Sequence, residues 1–212
     1  MGQVFPRSAN IIAPVSIVVV LLLIGAAVGF VILYPQTYVP AVRDQPIPFS
    51  HQQHVGDMGI DCRYCHTTVE TSAFAGMPST QICMNCHSEV KSDSDKLALL
   101  RDSDSQGKAL VWNRVYSLPD YTYFDHSAHV TKGVACVTCH GQIDQMPITV
   151  QVASLQMSWC MDCHRDPTPN IRPRDQVTSM NWQAPANSDP IRQQLIADYH
   201  VESKTSCSTC HR

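Results

Sequence analysis

The sequence predicts short α-helices and irregular segments, with little or no sheet, behind one N-terminal helix that crosses a membrane. Three observations carry this. An uncharged, almost wholly apolar run extends from Ile11 to Tyr34, long enough for the roughly 20 residues a spanning helix needs. All ten cysteines fall in five C-x-x-C pairs, each followed at once by histidine. The part beyond the apolar run, about 178 residues, leaves about 36 per C-x-x-C-H motif, too little to wrap each motif in its own globular core.

The elements follow in chain order. Residues 1–10 read as a cytoplasmic N-terminus and 11–34 as the transmembrane helix. A cleaved secretory leader is the alternative, but the run outlasts a typical h-region and no clear A-x-A site follows it. Arg7 on the short side gives a weak positive-inside signal. Residues 35–48 form a proline-bearing linker, and 49–212 form the extracytoplasmic domain. A net charge of −3 gives no bulk electrostatic reason to bind nucleic acid.

The cysteines define the domain's chemistry. They are Cys62 and Cys65, Cys83 and Cys86, Cys136 and Cys139, Cys160 and Cys163, and Cys207 and Cys210, followed by His66, His87, His140, His164 and His211. C-x-x-C-H is the attachment signature of c-type haem. The two thiols add across the haem vinyl groups, and the histidine becomes the proximal axial ligand. A thioredoxin-like motif would occur once, zinc ribbons need no histidine after each pair, and disulfide scaffolds impose no repeated spacing. Five haem c are therefore expected, packed together as the core of a multihaem cytochrome c. Attachment of c-type haem outside the cytoplasm, which the motif implies, puts the domain on the periplasmic side of a bacterial cytoplasmic (inner) membrane, with a single pass.

The chain repeats itself. One unit, about 49–87, reads FSHQQHV, CRYCH, Met77-Pro78, CMNCH; a second, about 124–164, reads FDHSAHV, CVTCH, Met146-Pro147, CMDCH. Each holds one H-x-x-H and two haem motifs, the mark of class III/c7-like duplicated units. Residues 200–212 carry the terminal motif. Between the units, the LALL core of a polar stretch reads equally as a short helix or a solvated loop, and VWNRVYSLPDYTYF is expected to pack on haem or a partner. Arg165 to Pro190 reads as irregular, with a short helix from roughly Asp189 to Tyr199.

Histidine arithmetic closes. Beyond the five proximal residues stand His51, His54, His126, His129 and His200, one distal ligand per iron. Histidines three apart can reach two neighbouring irons. Methionine competes: Met77, Met146 and Met157 are alternative distal ligands, of which at most one is expected to bind. A closed ligand count leaves no open iron position and no catalytic residue, so the chain reads as an electron carrier and not as an enzyme.

The stretches FSHQQHVGDMGIDCRYCH, GMPSTQICMNCH, LPDYTYFDHSAHV, LQMSWCMDCHR and SCSTCHR resemble the pentahaem, membrane-anchored cytochrome c subunit (ActA) of alternative complex III across most of the soluble part. That resemblance implies electron relay from quinol oxidation to a periplasmic acceptor. It also implies polytopic quinol-binding membrane subunits, an iron–sulfur protein subunit and a monohaem cytochrome c as partners. A free-standing quinol dehydrogenase of the NapC/NirT type is the first rival, but such proteins carry four haems close behind the anchor. A nitrite-reductase-like haem enzyme is the second, and would need an open iron position.

Overall fold

The computed structural model describes Pro6 and residues 8–33 and 42–211. Most of the N-terminal segment 1–10, including Arg7, and residues 35–41 of the linker lie outside the described residues. The chain divides into two compact units, Met1–Val39 and Pro40–Arg212.

In the first unit, α1 (Ala9–Leu33) runs 25 residues. Pro14 lacks the N–H for one backbone bond but lies near the start and does not end the helix. Side chains such as Ile11, Leu22 and Phe30 stand more than half exposed. Ala9–Val31 is apolar and long enough to cross a membrane.

The second unit is helical and irregular; among its described residues no strand forms, and one isolated antiparallel bridge joins Val134 to Ile171. The duplicated sequence gives duplicated elements. The first repeat has a π-helical turn (Gln52–Asp57), α2 (Cys62–Cys65) and α3 (Thr80–His87). The bridging α4 (Ala98–Gln106) follows. The second repeat has α5 (His126–Thr131), α6 (Cys136–His140) and α7 (Met157–Arg165). In both, the first haem motif sits on a helix of about one turn and the second on a longer helix. The chain then reaches α8 (Asp189–Asp198) and α9 (Cys207–Cys210).

Local chemistry fixes the ends. Asp61 caps α2 by accepting the Arg63 N–H at 2.8 Å, and Asp125 caps α5 by accepting the Ala128 N–H at 3.2 Å. The LALL stretch is a helix: Leu100 is buried, Gly107 ends α4 with a left-handed φ of 61°, and buried Ser103 bonds Thr80 of α3 at 2.6 Å. The helix expected to reach Tyr199 stops at Asp198, with Tyr199 as its C-cap.

The apolar core is thin. Among the described residues the buried hydrophobic side chains are Ile47, Val69, Leu100, Ala135, Ala153, Ile171, Val177 and Met180. Three of these come from the proline-rich stretch after α7, so that stretch is no surface loop. It is pinned across the domain: Val177 O accepts the Cys136 N–H, Gly133 O accepts the Arg172 N–H, and Thr178 Oγ1 donates to Asp61 Oδ2 at 3.0 Å. Gly133 suits its place, since its φ is +81° and a Cβ there would lie 2.5 Å from Arg172 O.

Candidate haem site

All ten cysteines are free thiols, none paired as a disulfide. Among the described residues no group of three or more His, Cys, Asp or Glu side chains is arranged to hold a metal ion. Each C-x-x-C pair lies on a helical turn with its histidine at or just past the end.

The imidazoles share one orientation rule. The Nδ1 atoms of His66, His87, His164 and His211 each meet a backbone carbonyl, that of Gly76 at 2.8 Å, Val90 at 2.9 Å, Lys204 at 2.9 Å and Tyr121 at 3.0 Å. The second histidine of each H-x-x-H does so too, four residues back: His54 to Ser50 O at 2.8 Å and His129 to Asp125 O at 2.7 Å. The first histidines cross between repeats, His51 to Thr149 Oγ1 at 2.9 Å and His126 to Ala73 O at 2.8 Å. A carbonyl can only accept, so Nδ1 carries the proton and Nε2 is left free for a metal, the usual outer-shell arrangement of ligating histidine.

The rings also pair. His54 faces His87 with centroids 6.2 Å apart, and His129 faces His164 at 6.1 Å. Two imidazoles on opposite sides of one metal, each nitrogen at about 2 Å, have centroids roughly 6 Å apart. The pairing is identical in the two repeats. His51 and His140 complete a buried centre. Burial first, and then neighbouring His66 and His54, pushes His51 down to about 4. Burial first, and then His126, His66 and His51, pushes His140 down to about 4. Both rings are thus neutral at neutral pH, as a metal ligand must be. His51, His66, His126 and His140 therefore lie within electrostatic reach of one another, the first histidine of each repeat together with both first haem motifs.

The cysteines show which motifs are neighbours. Burial raises Cys65, with Cys83, Cys62 and Cys86 adding to it, so the first two motifs adjoin. The Cys62 and Cys136 thiols act on each other, lowering Cys62 and raising Cys136, so the first and third adjoin. Cys139 is pushed to about 11 by burial and then by Cys163 and Cys160, and burial raises Cys160 with Cys210 beside it. The first motif thus neighbours the second and the third, the third the fourth, and the fourth the fifth. Cys86 and Cys207 are exposed, whereas every other cysteine is partly covered.

Residues 47–105 and 122–212 match the family described as cytochrome c7 and related cytochrome c. The chain belongs to this family. Over 99 residues it is also 40% identical to a protein named menaquinone reductase, multiheme cytochrome c subunit, from Nitratidesulfovibrio vulgaris strain Hildenborough. That match covers 46% of each protein, so the chain spans about half the length of this curated relative. As a c7-type chain it is a multihaem cytochrome c that takes part in electron transfer. Its free C-x-x-C thiols and the histidines whose Nδ1 is held, leaving Nε2 to ligate, fit c-type haem.

Other predicted residues fall less neatly. His200 has a left-handed backbone, φ 49°, and its carbonyl takes the Lys132 ammonium at 3.2 Å; among the described residues its ring shows no Nδ1–carbonyl bond. Met77 and Met157 are exposed and Met146 is half-buried. The reading of sequence missed two aromatics. Phe49 stacks on His54 (4.5 Å, 23°) and meets His51 edge-on (4.9 Å, 87°); Phe124 repeats this on His129 (4.5 Å, 29°) and His126 (4.7 Å, 85°). The signal was present as F-x-H-x-x-H in both repeats.

Proposed function

We propose that the chain is the electron-relay subunit of a quinol-oxidising membrane complex of the alternative complex III type, holding five haem c. The observation that carries this is the repeated pairing of His54 with His87 at 6.2 Å and of His129 with His164 at 6.1 Å, each beside a C-x-x-C pair. Each C-x-x-C pair would hold one haem, with His66, His87, His140, His164 and His211 proximal. His51, His54, His126 and His129 would be distal to the first, second, third and fourth motifs, and His200 to the fifth, with Met77, Met146 and Met157 as alternatives there. Bound haem supplies a reversible one-electron couple. The chain's own part is to fix the spacing, present neutral imidazoles and exclude water at the centre of the row.

Residues 11–34 anchor the chain in the bacterial cytoplasmic membrane, and 49–212 face the periplasm. The partners on this reading are polytopic quinol-binding subunits, an iron–sulfur subunit and a monohaem cytochrome c or another periplasmic acceptor. The test is haem content by pyridine haemochrome together with quinol-dependent reduction in the purified complex. Five haems per chain and reduction by quinol are expected; a different haem count, or no reduction with all subunits present, would sink the reading.

The relative named as a menaquinone reductase subunit favours a second direction, with electrons delivered to a quinone. Supplying a reduced periplasmic cytochrome and measuring quinone reduction separates the two.

A further inference from the structure

We propose that Thr149 is a positioning residue for His51 and sets the redox potential of the iron that His51 would ligate. This rests on the ligand assignments above. Among the imidazoles whose Nδ1 is held, His51 is the one held by a side chain, Thr149 Oγ1 at 2.9 Å; the others meet backbone carbonyls. Thr149 lies 98 residues further along, in the other repeat, just past Met146-Pro147. Its partly buried place keeps bulk water from readily replacing it.

The consequence is chemical. With Nε2 on iron, Nδ1 must carry the proton, so the ring donates and the hydroxyl accepts. That bond draws the proton outward and makes the imidazole a stronger donor to ferric iron, which lowers the potential. A carbonyl does the same, but no side-chain substitution can remove it. Thr149 is therefore a point where a substitution can retune one iron without touching a ligand. The second repeat supplies an internal control, since His126 is held by Ala73 O at 2.8 Å and does not depend on Thr149.

The experiment uses the full haem-loaded chain, with Thr149→Val and Thr149→Ser beside the wild type. Haem content is measured first, then a redox titration is followed by visible absorption and EPR. Valine keeps the shape and loses the hydroxyl; serine keeps the hydroxyl. Thr149→Val is expected to shift one titration component upward and alter one low-spin ferric signal, with Thr149→Ser superimposing on the wild type. Loss of one haem in Thr149→Val, restored in Thr149→Ser, supports the same hold on His51. Superimposable titrations for Thr149→Val and the wild type would overturn the proposal, and so would equal shifts in both variants. A wild type lacking bis-histidine low-spin signals fails the ligand assignments instead, and the proposal with them.

Discussion

At the level of single residues, each imidazole of the two H-x-x-H pairs is oriented twice, by an Nδ1 bond and by ring packing. Phe49 and Phe124 touch both histidines of their repeat, at nearly the same angles in each. Phe124→Leu is expected to change the EPR signals of the haems that His126 and His129 would ligate and leave those of the first repeat in place. Histidine removal gives a sharper readout. His54→Ala leaves His87 without the ring that faces it at 6.2 Å, so one haem is expected to turn high-spin in the ferric state. The terminal site is decided in the same way: His200→Ala is expected to produce a high-spin signal, and a low-spin spectrum there with a high-spin one in Met157→Leu would move the ligand to methionine. The candidate haem-binding residues could be named from sequence because covalent haem attachment demands a fixed spacing and a fixed histidine. Thr149 was not, since nothing local marks a hydroxyl 98 residues from the ring it meets.

Elements in this domain are too short to stand by propensity, so caps and buried contacts decide them. The clearest case is Asp61, which caps α2, pairs with Arg63 at 2.9 Å and receives Thr178 from the stretch after α7. The Arg63 hydrogen bond holds its carboxyl down to about 2, from 3.8. A depressed carboxylate stabilises the fold fully above its unfolded value and loses that contribution as pH falls through the folded one. The window is therefore about pH 4 down to 2. Because Asp61 is partly exposed, Asp61→Asn should cost only about 1 kcal/mol at neutral pH. Denaturant titrations at pH 7 and below pH 2 should show that difference shrinking with acid. Ile171 is a harder loss. It is 1% exposed, and Ile171→Ala should cost about 2–5 kcal/mol in the same titration. Helix α8 was legible from its Asp-Pro start and spacing. The core role of Ile171, Val177 and Met180 was not, because isolated apolar residues among prolines and polar groups carry no period; only the contacts to α6 and Asp61 reveal it.

For the molecule as a whole, the fold follows from scarcity. Few side chains are buried, and the rows of helical turns carry unpaired thiols and imidazoles toward one another. The thinness of this apolar core accords with the ratio of motifs to length. That the first and third motifs adjoin was not foretold, because it arises from the mutual influence of Cys62 and Cys136 across the repeats. α1 is a separate unit with exposed apolar sides. A chain beginning at residue 42 behind an exported leader should therefore remain in the soluble periplasmic fraction with its full haem content, as fractionation and a haem stain would show.

The crossed bonds between the repeats bear on how such a chain can change over evolutionary time. A duplicated module ordinarily leaves a spare, free to drift or be lost while its twin keeps working. Here His51 leans on Thr149 and His126 leans on Ala73, so each copy holds a residue of the other in place. Neither half is redundant, and a gene split between them would separate each histidine from its support.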